Sequence, residues 1–517
     1  MLQRTIMALG VAVSAFGCSA GTSSSSGEAQ LRVAHLSPDA PAVDFCVAEH
    51  GTKNFTGPVM ATNGAAAGLS YSNVTKYISL PAKQYDVRLV APGSSSCTTP
   101  LGGLADFTNL PALSAGGYFT VAAEGLASLG ASTPFTLQAY VDDSSVDVGK
   151  AKLRFIHASP GTPAVDVGTG GGALFQALFK DVSYGAASGS NNGYVTTPPI
   201  PGVEISARAF GTTTDALSIN PAVLPANAIA TAFAIGELNS TTTPLRVLLC
   251  VDNGAPSGIL SQCSVVGGSP SRAHVRIAHL SPDLRAVDVC LAPAGTDNFS
   301  PPVLLGLGVN DGLTYAAITR YVDLPVGSYD VRVILANATG CSIPAVPDTK
   351  GVTFTNNETV SVVALGDFDN TGAAAKDPAL RLKVFTDATS APSGNAKLRF
   401  VHASPGTPAV DVGLGTGASF TKVFANVSFG NVATNSPIDT LGFVSTPAPV
   451  TSAVAARLAG QSGDALVVPS VTLPAQGVFT AFAIGGKTGA SDNPLQVLLC
   501  NDNDTTTSLL STCTLAN

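Results

Sequence analysis

Four copies of one short motif contain the residue types of a nucleophilic active site. Each copy runs through His-x-Ser-Pro and reaches an Asp nine residues after the His. A serine nucleophile, a histidine base and an aspartate that orients the histidine are the parts of a hydrolytic triad. The candidate residues are His35, Ser37 and Asp44 in the first copy, His157, Ser159 and Asp166 in the second, His279, Ser281 and Asp288 in the third, and His402, Ser404 and Asp411 in the fourth.

The surroundings of the serine favour a structural role for the motif. Ser37 precedes Pro38 on a predicted turn, so it lacks a nucleophile elbow of the GxSxG type. Four copies in one chain fit a structural corner better than an active site. Strand alternation places His35 on the core face at the end of a strand, and we expect it to hydrogen-bond with Asp44 across the turn. An envelope hydrolase that uses these residues is the alternative.

Aspartates near the motif could supply oxygen ligands to calcium. Gly161 and Gly406 replace the first of them, Asp39, in the second and fourth copies, and no EF-hand spacing is present. We therefore predict turn-forming aspartates, with no metal site and no cofactor. The carboxylates concerned are Asp39, Asp44 and Asp142 in the first copy and Asp283, Asp288 and Asp387 in the third.

The cysteines predict disulfides. There are nine, and setting Cys18 aside leaves two in each repeat, spaced 51 residues apart in the first and third and 13 apart in the second and fourth. Equal spacings in equivalent repeats indicate four disulfides within repeats and an oxidising compartment. Zinc is disfavoured because no CxxC occurs. The predicted pairs are Cys46–Cys97, Cys250–Cys263, Cys290–Cys341 and Cys500–Cys513.

The first residues are typical of an export signal. Arg4 supplies a positive charge, and the apolar run 6–16 is too short to span a bilayer, which needs about 20 residues. A small residue directly before Cys18 resembles the lipobox of bacterial lipoproteins. We predict a signal peptide over 1–17, lipidation of Cys18 and a flexible Ser/Gly-rich tether over 18–30. An ordinary signal peptide cut nearby is the alternative.

Composition limits the partners of this chain. Charged residues make up 12% of it, the net charge is -8, and no cluster of Lys or Arg appears. These features argue against nucleic-acid binding, which needs a basic face. An array of carbohydrate-binding modules would need exposed aromatic residues. With no Trp and 6% aromatics, that class is a weaker alternative.

The motif histidines lie 122, 122 and 123 residues apart, a period that corresponds to whole domains. The first and third repeats resemble each other, as do the second and fourth, which indicates a two-domain unit that duplicated. Short alternating strands with frequent turns predict an all-β fold of four tandem antiparallel β-sandwiches of immunoglobulin-like type. Leu-Pro runs before Tyr85 and Tyr329 suggest tyrosine corners. The predicted domains are residues 31–147, 151–268, 273–392 and 396–517.

The repeated string [LV]R[VF]xHxSPxxxAVDV, followed by an apolar strand that ends in Asp, resembles the domain-of-unknown-function family number 4397. The resemblance covers all four repeats and implies a secreted or surface-attached bacterial β-sandwich domain, often in tandem. It implies no activity. The aspartates at the strand ends are Asp142, Asp252, Asp387 and Asp502.

Together these features predict an exported, non-enzymatic protein of the cell envelope. Its lipid at Cys18 would anchor it in a membrane, and Ser19 is compatible with the outer membrane by resemblance to known lipoproteins. A secreted or periplasmic location is the alternative. Tandem domains on a tether can bind multivalently, so we expect a structural or adhesive role. The protein or glycan ligand stays open.

Overall fold

The computed structural model describes residues 27–128, 130–188, 191–338, 340–368, 378–486, 493–504 and 508–516, and it confirms an all-β fold. Two one-turn helices, α1 (Val59–Thr62) and α2 (Val303–Gly306), accompany the strands. Short 3-10 turns lie at Leu101–Gly103, Gly172–Leu174, Asn191–Gly193 and Gly417–Ser419. The strands are β1 (Glu28–His35), β2 (Asp44–Glu49), β3 (Asn73–Val74), β4 (Ile78–Pro81), β5 (Tyr85–Val90), β6 (Tyr118–Glu124), β7 (Thr136–Asp142), β8 (Ala151–His157), β9 (Val165–Thr169), β10 (Gln176–Val182), β11 (Tyr194–Thr197), β12 (Ile200–Ala209), β13 (Asp215–Leu224), β14 (Ile229–Ile235), β15 (Arg246–Val251), β16 (Cys263–Val266), β17 (Arg272–His279), β18 (Val287–Pro293), β19 (Ala317–Ile318), β20 (Val322–Pro325), β21 (Gly327–Leu335), β22 (Thr349–Phe354), β23 (Thr359–Leu365), β24 (Arg381–Thr386), β25 (Asn395–His402), β26 (Val410–Leu414), β27 (Thr421–Val427), β28 (Phe443–Pro447), β29 (Val450–Leu458), β30 (Leu466–Leu473), β31 (Val478–Ile484), β32 (Gln496–Asn501) and β33 (Cys513–Ala516).

Each repeat contributes strands to two sheets, and the opening motif lies in the sheet that holds the first strand. In the first repeat these are β3-β1-β6-β7, with β4 also on β1, and the pair β2-β5. The third repeat has the same arrangement in β19-β17-β23-β24, with β20 on β17, and in β18-β21-β22. The second has β11-β8-β14-β15-β16 and β10-β9-β12-β13, and the fourth has β28-β25-β31-β32-β33 and β27-β26-β29-β30.

The prediction of purely antiparallel sheets is wrong for one strand pair in every repeat. The motif strand runs parallel to the strand that follows about 85 residues later, as β1 does with β6, β8 with β14, β17 with β23 and β25 with β31. The motif strands pair antiparallel with their other neighbours, and each parallel partner strand pairs antiparallel with the strand that follows it. Local alternation of apolar and polar residues reports which face of a strand is buried, but not the direction of its partner.

The two sheets of a repeat enclose one apolar core. In the second repeat, Phe155 on β8 packs near Phe179 on β10, with 6.1 Å between the ring centroids, and both side chains are buried. Phe400 and Phe424 form the equivalent pair in the fourth repeat, at the same distance. Burial of such large apolar side chains is the main favourable contribution to folding.

The compact units of the chain differ from the sequence repeats. Of the described residues, 27–144 form one unit together with Gly254–Cys263, a segment of the second sequence repeat, while the others form a second unit. Within the first unit, Leu260 bridges to Thr75, and the Ser261 hydroxyl donates a hydrogen bond of 2.7 Å to the Thr75 carbonyl. Within the second unit, Ser511 makes the same bond to Thr319 at 2.6 Å.

The structure tests the predicted tyrosine corners and the predicted end of the tether. The tyrosine corners are confirmed, since the hydroxyls of Tyr85 and Tyr329 each donate to the carbonyl of the proline four residues earlier, at 2.9 Å. Residues 28–30 of the predicted tether instead begin β1, where they pair with β4. The signal peptide, Cys18 and residues 18–26 lie outside the described residues. Neither α1 nor α2 has the length to cross a bilayer, and the described part of the chain has no other α-helix.

Candidate functional site

The His-Ser-Pro motif forms a buried corner in all four repeats. Each motif strand ends at the His, and the following residues turn towards the second sheet. The His and Ser side chains have no exposed surface in any copy. Asp44, Asp288 and Asp411 are also buried, and Asp166 is half-buried. The structure therefore brings the three residue types into each corner, and their partners decide what they can do.

The histidine holds the backbone of its own turn. Nε2 of His35 lies 2.9 Å from the Pro41 carbonyl, and the other three histidines contact the carbonyl at the same position, 2.9–3.1 Å away. A carbonyl only accepts, so Nε2 carries the proton and Nδ1 does not. Burial lowers the pKa of His35, as it does for His157, His279 and His402, which keeps the rings neutral at pH 7.

An aromatic ring packs edge-on against each of these histidines. The centroids of the two rings lie 6.1–6.4 Å apart, and the interplanar angles are 77–82°. Sequence reasoning missed these rings, although each follows a Leu or Val and a Ser or Thr, in LSY, VSY, LTY and VSF. The partners are Tyr71, Tyr184, Tyr315 and Phe429.

The serine hydroxyl is directed at the backbone of a distant strand end. Ser159, Ser281 and Ser404 donate at 2.6 Å to the carbonyl of the glycine that follows the parallel partner strand. Ser37 instead donates to Asp39, with 3.3 Å between Oγ and Oδ1. In the described residues no motif serine hydroxyl hydrogen-bonds to a histidine ring, so the pairing of nucleophile and base that activates a serine is not formed.

The motif aspartate binds backbone amides, and the predicted His–Asp hydrogen bond is not formed. Asp44 accepts from the amides of Phe45, Met60 and Ala61 at 2.7–2.8 Å, and the last two belong to α1. Asp288 makes the equivalent bonds to the start of α2, and burial raises its pKa. The carboxylate prefers these amides because several N–H groups are left unpaired at the start of a helix.

The second and fourth repeats use the same aspartate differently. Asp166 accepts from the amide of Asp181 at 2.9 Å, and Asp411 accepts from the amide of Asn426 at 2.8 Å. Both donor residues have a left-handed backbone, with φ of 51° and 49°. The carboxylate thus fixes a turn that an L-residue rarely adopts.

A buried arginine, three residues before each histidine, is the largest feature that sequence reasoning missed. The four side chains have no exposed surface, and a hydroxyl on the parallel partner strand accepts from each guanidinium at 2.7–3.2 Å. An aromatic ring lies 4.5–5.0 Å from each guanidinium carbon, a cation–π distance. Its signal was available, because R-x-x-H occurs in all four motifs. The arginines are Arg32, Arg154, Arg276 and Arg399.

The third and fourth repeats exchange ion pairs through these arginines. Arg276 of the third repeat donates from Nη2 to Asp502 of the fourth at 2.7 Å, and Arg399 of the fourth donates to Asp387 of the third. Ser361 and Thr480 bind the same two carboxylates at 2.6 and 2.5 Å. Two positive and two negative charges therefore compensate one another in a site with no exposed surface.

The aspartates considered for calcium have protein donors. Asp39 accepts from the amides of Ala127 and Ser128 at 2.7 and 3.0 Å; burial acts to raise its pKa, but these bonds hold it below its ordinary value. Asp283 accepts from the amide of Phe368 at 2.8 Å. No group of three or more His, Cys, Asp or Glu residues that could hold a metal ion occurs within the described ranges.

The cysteine prediction is confirmed for three pairs. Cys46 is joined to Cys97, Cys290 to Cys341 and Cys500 to Cys513. Cys250 and Cys263 are also disulfide-bonded. Disulfides of this number persist in oxidising, exported environments.

A cleft of about 460 Å³ separates residues of the second repeat from residues of the third. It lies between the start of β12 and the turn from β20 to β21, and Phe299 and Tyr329 are its aromatic residues. The guanidinium of Arg332 covers one face of Phe299, 3.8 Å from its centroid. Tyr329 is buried, so its ring does not offer an open face on which a sugar could stack.

Comparison with family models identifies a match over more than half of the chain. The model described as Domain of unknown function (DUF4397) matches residues 29–168 and 273–413. Each match spans an odd-numbered repeat and continues through the motif of the next, so each contains two corners. The curated proteins contain no match to this chain.

Proposed function

We propose that this chain, which belongs to the DUF4397 family, is a non-enzymatic, lipid-anchored protein of the cell envelope with a structural or adhesive role. In this proposal, four immunoglobulin-like sandwiches follow the lipidated Cys18 and its tether. The observation that carries the proposal is the corner itself: in all four repeats the His and Ser side chains are withdrawn from solvent, and each His is bound to a backbone carbonyl.

The location is supported by the disulfides and by the character of the first 18 residues. Disulfides are rare in reducing compartments, and a lipobox-like cysteine accounts for the one cysteine outside the repeats. The cleft beside Phe299 and the exposed loops at the sheet ends would supply contact surface for a protein partner.

A fluorophosphonate probe tests the absence of serine chemistry. The probe labels only activated serines, so the native chain should remain unlabelled, while an established serine hydrolase added to the same sample is labelled. Labelling of the native chain that is lost in Ser37→Ala, Ser159→Ala, Ser281→Ala or Ser404→Ala would favour the hydrolase alternative and contradict the proposal.

Metabolic labelling with a clickable fatty acid tests the anchor. The full chain expressed in a bacterium that processes lipoproteins should take up the label and sediment with membranes. Cys18→Ala should lose both properties. A wild-type chain that takes up no label would contradict lipid anchoring while leaving the non-enzymatic role to the probe experiment.

A further inference from the structure

The core of the fourth repeat contains an apolar cavity of about 150 Å³. It lies between the two sheets, with Phe400 on one side and Phe424 on the other. No charged side chain lines it, and Ser445 and Thr446 are its only residues with polar side chains. Protein interiors are close-packed, so a void of this size between two sheets needs a specific cause.

The second repeat shows that the same pair of sheets can close. Its equivalent cavity, lined by Phe155 and Phe179, measures about 30 Å³. The strand registers align the two repeats, because Ala207 pairs with Val167 as Ala456 pairs with Val412. The difference in volume must therefore come from side chains at matched positions.

Three matched positions carry isoleucine in the second repeat and valine in the fourth. Ile205 pairs with Ile219 across β12 and β13, and at the same register Val454 pairs with Val468 across β29 and β30. At the start of the same strands, Ile200 pairs with Leu224 and Val450 with Leu473. The fourth repeat thus lacks one methylene group at each of the three positions, and its cavity is lined by all three valines. Ile205 and Ile219 line the smaller cavity of the second repeat.

The cavity of the fourth repeat is also accessible. Val450, Val454 and Leu466 are partly exposed, whereas their counterparts Ile200, Ile205 and Leu217 are buried. The exposed parts lie along β29 and β30, on the sheet that does not contain the motif strand. A small molecule can therefore enter between the valines without separating the sheets.

We propose that the fourth repeat binds a small uncharged hydrophobic ligand, or a hydrophobic group of the size of a benzene ring, in this cavity. An engineered apolar cavity of about 150 Å³ in another protein stays dry and binds benzene or xenon. The two phenylalanine rings offer edge and face contacts to an aromatic guest. A charged ligand is excluded because nothing in the lining would compensate for its lost hydration.

Titration of the full chain with fluorobenzene, followed by 19F NMR, tests this site. The wild-type chain should show saturable binding to one site. Combining Val450→Ile, Val454→Ile and Val468→Ile restores the side chains of the closed second repeat and should weaken binding at least tenfold. Val467→Ile is the matched control: the residue lies on the same strand but does not line the cavity, so binding should be unchanged.

Each other result overturns the proposal. Wild type without saturable binding, a triple variant that binds like wild type, or a control that loses binding equally would show that the cavity is not the site. Far-UV circular dichroism and the urea midpoint verify that the variants fold. If the triple variant does not, Val454→Ile alone carries the same test, with at least a threefold loss expected.

Discussion

The odd and even repeats open with the same motif but secure the chain behind it with different contacts. In the first and third, the motif aspartate accepts hydrogen bonds from three amides, two of which belong to a helical turn that starts after a proline. In the second and fourth, it binds the amide of a residue with left-handed backbone near the end of β10 or β27. The comparison shows that the motif specifies a corner, while the chain that follows determines which backbone groups the carboxylate meets.

Odd and even repeats also share an arginine that is paired with an aspartate and stacked on an aromatic ring, although it lies at different positions in the two types of repeat. Arg332 of the third repeat binds Asp348 through two bonds of 2.8 Å and lies over Phe299, and Arg88 of the first repeat is bound in the same way. In the fourth repeat, Arg457 binds Asp464 at 2.6 Å and lies over Phe420. The device is a planar guanidinium held between a carboxylate and a ring, which suits arginine better than lysine.

The largest effect is expected where an odd and an even repeat meet. Arg276→Leu leaves two buried carboxylates, Asp387 and Asp502, short of positive charge and should destabilise the third and fourth repeats by about 3–5 kcal/mol. Hydrogen exchange of β17 and β25 measures this loss. Lys83→Ala removes the exposed pair with Glu49 and should change stability by less than about 1 kcal/mol. Equal effects of the two changes would rule out the buried exchange as a stabilising junction.

The next effect separates the first repeat from the third. Glu124 in the first repeat occupies the position of Leu365 in the third. Burial raises the pKa of Glu124 to about 7, although the hydrogen bond that it accepts from the Tyr140 hydroxyl acts to lower this pKa. Because the folded state holds the proton more tightly, the contribution of Glu124 to stability is largest below pH 4.5 and is lost as the pH rises through 7. By pH 8 the first repeat should have lost this contribution, about 3 kcal/mol.

Glu124→Leu should remove that dependence. Urea midpoints measured at pH 5 and pH 8 compare the variant with wild type, and Leu365→Val serves as a control for a general pH effect. A wild-type midpoint for the first repeat that is equal at both pH values would contradict a raised pKa at this position.

The smallest effect measures the difference between the two uses of the motif aspartate. Asp288→Ala removes the acceptor of the Val289 amide and of two amides at the start of α2, and it should cost about 2–4 kcal/mol. Asp166→Ala removes a half-buried acceptor of one amide, that of Asp181, and should cost about 1 kcal/mol. Thermal unfolding of each variant supplies the comparison. If Asp166→Ala is the more destabilising change, the aspartate that caps the helix does not contribute more to stability than the aspartate of the second repeat.

Much of the fold could be predicted from the sequence because the relevant signals are local or repeated. Period-two alternation predicted an all-β fold, and equal cysteine spacings predicted the bonds of Cys46 and Cys500. The same alternation places Arg32 on the opposite face of its strand from His35. That face is buried too, and alternation within one strand gives no information about a second layer that packs on its other side.

The candidate site was predicted in part for the same reason. The four corners were identified as structural, but the partners of His35 and Asp44 were not, because both contact backbone atoms that any residue would supply. Backbone donors and acceptors occur along the whole chain, so the sequence does not show which of them a side chain will bind. The edge-on ring of Tyr71 and the arginine network can be detected in the sequence, because the same pairs of residues recur in every repeat, with spacings that differ between odd and even repeats.

The reciprocal exchange between Arg276, Arg399, Asp387 and Asp502 has a consequence for how such a chain can lengthen or shorten. A third repeat without the fourth would lose Asp502 as a partner of Arg276 and Arg399 as a partner of Asp387, and it would expose the apolar side chains of Ala278, Leu280 and Phe385 to water. Gain or loss of a single repeat would therefore be selected against, and gain or loss of an odd–even pair would be tolerated. Relatives of this chain should accordingly carry even numbers of corners.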